Sequence, residues 1–109
     1  MATFDDFWSE LQREIEAFAS KSWTGLRESA LEDGKAFADS AKDDLNRWVG
    51  LLSTGDLTKD DFEWLLQSKK DLASLEALKE AGLAQVALDR FVNGLFNVVV
   101  TSAFKVLGI

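Results

Sequence analysis

The 109-residue sequence contains no cysteine, proline, histidine or tyrosine. Without cysteine, disulfide bonds, thiolate metal sites and a cysteine nucleophile are excluded, and nothing indicates the redox compartment. Without histidine, the chain lacks the side chain most used as a general base and as a metal ligand near neutral pH. Without proline, no helix has to break for covalent reasons. These absences favour a helical protein that is not an enzyme and binds no cofactor or metal.

Acidic side chains outnumber basic ones, and most of them lie in the first two-thirds of the chain. The formal net charge is −7. Residues 1–66 hold 15 acidic and 7 basic side chains, a net charge of −8, whereas residues 67–109 hold 4 acidic and 5 basic, a net charge of +1. Because an acidic surface repels phosphate groups, nucleic-acid binding is not expected and anionic membranes are disfavoured. The first residues carry no signal-peptide pattern, so the expected location is cytoplasmic.

The most apolar segment is residues 91–109, in which Lys105 is the one charged side chain and twelve of nineteen residues are apolar. This segment must be buried in its own fold, against a second copy or against an apolar partner. As a helix it would be about 28 Å long, close to the hydrocarbon thickness of a membrane, but two asparagines and a lysine make a span unfavourable. The β-branched run at 98–101 would also suit a strand, although a lone strand has nothing to pair with.

Apolar residues spaced by three and four predict four helices, over about residues 4–20, 24–52, 58–81 and 83–107. Thr3 is expected to cap the first helix. Gly34 falls inside the second, where a close approach of a neighbouring helix or a local bend would explain it. The third is expected to be one continuous helix rather than two short ones, although its apolar phase slips near residues 69–71.

Two connections carry clear turn signals. Gly55 and Gly82 are expected in the left-handed conformation that ends a helix. Thr58 and Asp61 are expected to form a capping box. A hydrophobic content of 47% in 109 residues predicts one domain with its own core, and the helical periodicity makes it all-α. Short connections favour antiparallel packing of neighbouring helices. Its expected form is a four-helix, mostly antiparallel bundle with the hydrophobic C-terminal helix at its centre.

The turn after the second predicted helix partly resembles a calcium-binding loop. Residues 55–62 resemble the second half of an EF-hand loop, but Gly50, Leu52 and Thr54 stand where that loop has oxygen ligands, and Asp61 replaces the usual glutamate. Too few oxygens converge to predict a cation site. Residues 51–66 also resemble the short helical hairpins found at the C-termini of many bacterial proteins, and this local resemblance identifies no family.

The remaining reactive residue types form weak patterns. Ser68 with Lys69 or Lys70, and Ser102 with Lys105, could in principle act as serine–lysine pairs, but no oxyanion hole accompanies them. Neighbouring carboxylates are interpreted as a solvated acidic surface. The four tryptophans are interpreted as core and rim packing, with an apolar cleft or an interface as the alternative: Trp8, Trp23, Trp48 and Trp64.

These patterns favour a non-enzymatic protein–protein interaction or self-assembly module that uses the apolar C-terminal helix. The expected partner is a second copy, giving a homodimer through residues 88–107, or another protein. The alternative is an amphitropic lipid- or apolar-ligand-binding protein whose bundle opens around residues 83–107, with Gly34, Gly82 and Gly94 allowing the movement. The expected contact residues are Phe91, Val92, Leu95, Phe96, Val99, Ala103 and Val106.

Overall fold

The computed structural model describes residues 4–108, and its regular elements are all helical. Two 3-10 turns, Thr24–Leu26 and Lys70–Leu72, lie between α-helices. No strand occurs within residues 4–108, which confirms the predicted all-helical class. Thr3, the expected cap of the first helix, lies outside the described residues. The six α-helices are α1 (Phe4–Ser22), α2 (Arg27–Ser40), α3 (Lys42–Thr54), α4 (Lys59–Ser68), α5 (Glu76–Glu80) and α6 (Gln85–Leu107).

The first and last helices pack along each other in opposite directions. Glu10 of α1 bonds to Lys105 near the end of α6. Eight residues further along α1, the ring of Phe18 lies against Gly94, closer to the start of α6. Helix α6 also supplies much of the buried apolar surface, because most of its apolar side chains face the core. The expected four-helix antiparallel bundle stays a prediction, since the described chain has six α-helices.

Gly34 lies inside α2 where this helix closely approaches α1. A Cβ atom at position 34 would lie 2.9 Å from Cγ2 of Ile15 and 3.7 Å from Cδ1 of Leu95, and both neighbours are fully buried. Of the two explanations for this glycine, the close approach is confirmed. Gly94 has the same role in α6, since its Cβ would lie 2.8 Å from two ring carbons of Phe18.

The helix expected over 24–52 is divided at Ala41 into α2 and α3. Ala41 is fully buried, with φ −96° and ψ 4°. Phe37, before the break, packs against Phe96 of α6 with ring centroids 5.1 Å apart, whereas Trp48, after it, packs against Phe62 of α4 at 6.3 Å. A straight helix of this length would extend about 43 Å, as far as the 42 Å long axis of the molecule. The break therefore lets one apolar stripe cover two different neighbours.

The predicted local turns are confirmed in detail. Gly55 and Gly82 have φ values of 82° and 90° and end helices in the left-handed conformation. At the start of α4, the N–H of Asp61 donates to Oγ1 of Thr58 at 3.1 Å, and the N–H of Thr58 donates to the Asp61 carboxylate at 3.2 Å. This reciprocal pair is the capping box that the sequence indicates.

The helix expected over 58–81 is divided into α4, a 3-10 turn and α5. Leu75, just before α5, takes a left-handed backbone with φ 57°, and its side chain provides no cap. The cap comes instead from Asp33 of α2, whose Oδ1 accepts from the N–H of Ala77 at 3.1 Å and whose Oδ2 accepts from the N–H of Leu78 at 2.8 Å. Because a carboxylate stabilises the free N–H groups at a helix start, this cap across the fold supports a second, five-residue helix.

Candidate functional site

The residues expected to contact a partner are mostly core residues of this chain. Six of the seven are buried within it, namely Phe91, Val92, Leu95, Phe96, Val99 and Ala103, and Val106 is half-buried. Phe91, for example, lies between Phe18 and Trp23, with ring centroids 5.5 Å and 5.4 Å away. In this conformation the apolar face of α6 is covered by the chain itself, so a partner can reach it only where a groove remains open.

In this conformation the three glycines expected to allow opening have packing or turn roles. Gly34 and Gly94 lie where α2 and α6 closely approach α1. Gly82 ends α5, and the following Leu83 donates back to the carbonyl of Leu78 at 3.3 Å. Opening the fold at these positions would therefore separate closely packed helices.

A polar stripe runs along the outer side of α6, as the four-residue spacing predicts. Four of its five members are exposed and Asp89 is half-buried. Because a four-residue step rotates only about 40° on a helix, these side chains form one continuous wall. Its members are Asp89, Asn93, Asn97, Thr101 and Lys105.

An open groove lies between this wall and α4. Its first cavity, of about 420 Å³, has an apolar floor of Leu66, Phe96 and Val100. A second cavity, of about 650 Å³, extends the groove towards Phe104. Both cavities are lined by Asn97 and Val100, so they are adjacent, and together we call them the α4–α6 groove. Here Phe96 and Val100 present their remaining accessible surface to the outside.

Trp64 forms the edge of the α4–α6 groove. It is 70% exposed, whereas Trp23 and Trp48 are buried and Trp8 is half-buried. The packing interpretation therefore holds for two tryptophans fully and for one in part, but not for Trp64. The sequence carried a signal for this difference, because Phe62 and Leu66 lie one turn apart on the buried side and place position 64 on the opposite face.

The side chains around Trp64 are acidic or carry amides. Asp60, Glu63, Trp64 and Gln67 all line the first cavity from α4, facing Asn93 and Asn97 of α6, and no basic residue lines it. Spacings of three and four place Asp60, Trp64 and Gln67 on one helix face. Lys59 lies 4.0 Å from Glu63, but both side chains are about half exposed or more, so this pair is weakly held.

The far end of the groove is fixed by an ion-pair group between α1 and α6. Nζ of Lys105 lies 3.0 Å from Oε2 of Glu10 and 3.6 Å from Oε1 of Glu14, and Arg13 pairs with Glu10 as well. The hydrogen bond from Lys105 lowers the pKa of Glu10 below its ordinary value of 4.5, against the opposing effect of burial. The same bond raises the pKa of Lys105 above its ordinary value of 10.5.

These two pKa shifts make the ion pair stabilising over a defined pH range. A lowered carboxylate pKa contributes stability above about pH 4.5, which is lost as the pH falls through the folded-state value. A raised lysine pKa contributes stability below about pH 10.5, which is lost as the pH rises through the folded-state value. The groove end that contains Lys105 is therefore held in place at neutral pH.

The other candidate sites are not assembled. Oγ of Ser68 donates to the carbonyl of Leu65 at 2.6 Å. Among residues 4–108, the buried Oγ of Ser102 has no hydrogen-bond partner, while Lys105 bonds to Glu10. Within residues 4–108, no three acidic side chains are grouped in a way that could hold a metal ion.

Comparisons of the chain with protein-family models, with curated proteins and with solved structures find no match.

Proposed function

We propose that the chain is a non-enzymatic protein-interaction module that binds a helical segment of a partner protein in the α4–α6 groove. The observation that carries the proposal is the 70% exposure of Trp64 beside a groove with an apolar floor. Tryptophan is among the residues that most often dominate binding energy at protein interfaces. In this proposal the C-terminal helix contributes its groove-facing side, while the rest of its apolar surface holds the bundle together.

The shape of the groove favours a helix as the occupant. The ten residues of α4 make its wall about 15 Å long, which matches almost three turns of a bound helix. Two helical walls with an apolar floor suit an amphipathic helix, whose apolar side chains repeat every three or four residues. An open depression of this kind offers little enclosure to a small molecule, which usually needs most of its surface buried.

The charge of the groove favours a different protein over a second copy. In a two-fold symmetric dimer the same surface meets itself, so Asp60 and Glu63 of both copies would share one interface. Like charges brought together in this way oppose association, and each copy also carries a net charge of −7. A helix with an apolar stripe and a basic side chain at the first cavity is the complementary partner, because Lys59 and Lys105 line only the second cavity. Homodimerisation through Phe91, Leu95 and Val99 would in addition require fully buried side chains to leave the core.

The test is a selection of helix-forming peptides from a displayed library on the wild-type chain, followed by affinity measurements on variants. Trp64→Ala should weaken binding by about 30-fold or more, the effect of removing an interface hot spot. Because Trp64 is largely exposed, this variant should keep its stability within about 0.5 kcal/mol. Val86→Ala is the matched control, since Val86 is an 81% exposed apolar residue of α6 outside the groove.

Three results would overturn the proposal. One is a library that yields no binder sensitive to Trp64→Ala. Another is light scattering that detects a stable dimer of the wild-type chain which Trp64→Ala dissociates, because the occupant would then be a second copy. The third is flotation of the chain with phosphatidylcholine vesicles, which would support the amphitropic lipid-binding alternative around residues 83–107.

A further inference from the structure

We infer that the groove recognises an arginine side chain of the partner helix, stacked on the indole of Trp64 and bonded to Asp60 and Glu63. This inference rests on the proposed function and names the chemistry of its partner. It starts from the first cavity of the groove, where two carboxylates and an exposed indole stand together and no basic residue takes part in the lining. Such a cavity attracts a cation.

The other tryptophans of the chain supply an independent observation. Lys42 lies over the Trp8 ring with its Nζ 4.8 Å from the centroid, and Arg90 lies over the Trp23 ring at 5.3 Å. Within the part of the chain that the structure describes, no cationic side chain lies over the ring of Trp64. Its face is exposed and flanked by acids, so the position that a cation occupies on the rings of Trp8 and Trp23 is open to a partner here.

The polar atoms around the indole favour arginine over lysine. A guanidinium group is planar, stacks on an aromatic ring and presents five N–H donors along its edge. The cavity offers the acceptors that such an edge needs, namely the carboxylates of Asp60 and Glu63 and the amide oxygens of Gln67, Asn93 and Asn97. A lysine ammonium would reach one or two of these oxygens as a point charge, without the stacking of a flat group.

The experiment compares two synthetic amphipathic helical peptides that differ at one position, which carries arginine or its neutral isostere citrulline. The arginine peptide should bind the wild-type chain about tenfold more tightly, with an affinity that falls as salt rises. In the double variant Asp60→Asn/Glu63→Gln this preference should shrink to about twofold or less. Trp64→Leu, which keeps an apolar side chain but loses the π face, should also reduce the preference.

The control is the double variant Glu28→Gln/Asp39→Asn, which removes the same two charges from exposed positions of α2. This variant should still bind the arginine peptide more tightly than the citrulline peptide. Only the part of the preference that comes from overall charge should be lost. Equal affinities of the two peptides, both sensitive to Trp64→Ala, would overturn this inference and leave the proposed function standing. If neither peptide nor any library member binds in a Trp64-dependent way, both proposals fail. An arginine preference that the α2 control removes equally would also overturn the inference, because net charge alone would explain it.

Discussion

Replacing Gly34 with alanine tests the close contact between α1 and α2. At this position a Cβ atom would lie 2.9 Å from Cγ2 of Ile15. That methyl group belongs to a fully buried, β-branched side chain, whose rotation about χ1 is restricted. The contact therefore cannot be relieved by swinging a flexible side-chain end, and the backbones of α1 and α2 must move apart.

Two opposing effects decide the result. Alanine in place of a glycine inside a helix favours folding by about 1 kcal/mol. An extra methyl group forced into a packed core costs about 1–3 kcal/mol. Gly50→Ala in α3 isolates the first effect, because Gly50 is exposed and nothing lies within 4 Å of its Cβ position. Gly34→Ala should therefore be less stable than Gly50→Ala by about 1–3 kcal/mol.

Urea unfolding followed by tryptophan fluorescence and by far-UV circular dichroism gives both free energies, provided that the slope m is unchanged. A second background sharpens the test. Leucine has no γ2 methyl group, so in Ile15→Leu the penalty of Gly34→Ala should fall well below its wild-type value. If Gly34→Ala is as stabilising as Gly50→Ala in the wild-type background, the close contact does not carry the role assigned to it here.

Three further predictions concern single polar groups. Asp33→Asn should lower the free energy of unfolding by about 1–2 kcal/mol, because an amide offers one acceptor oxygen for two N–H groups of α5. In the same urea titrations, the control Asp39→Asn on the exposed side of α2 should change this free energy little. Ser102→Ala should raise that free energy by about 1 kcal/mol, because the buried hydroxyl has no partner, and a less stable variant would contradict this reasoning. Lys105→Met should lower the free energy of unfolding at about pH 7, and its difference from wild type should shrink towards about pH 3 as Glu10 is protonated. If the free energies of the two proteins instead run parallel over this pH range, the ion pair does not have this role.

Local features of the fold were predictable from the sequence because their causes lie within a few residues. The capping box of Thr58 and Asp61 and the left-handed glycines at 55 and 82 depend on neighbouring backbone groups alone. The polar stripe of α6 follows in the same way from spacing. The spacing of apolar residues in α4 also predicts that Trp64 is exposed. The number of tryptophans, by contrast, does not distinguish Trp64 from the other three.

The divisions of the two longer predicted helices were not predictable in this way. Apolar residues continue in phase through Ala41, so periodicity contains no sign of a break that depends on which neighbours α2 and α3 cover. The start of α5 depends on Asp33, 44 residues before Ala77. The elements that cover the apolar face of α6 could not be predicted either. Residue spacing predicts that this face is buried but does not specify what covers it.

The Asp33 cap gives the chain an order of assembly. A five-residue helix is too short to form by itself in water, since its nucleation costs more than its few hydrogen bonds return. Helix α5 therefore depends on α2 to present this carboxylate, and we expect it to become ordered after α2. When α2 moves, the segment from 69 to 84 loses this cap, and we expect a protease or amide exchange to gain early entry to the native protein there.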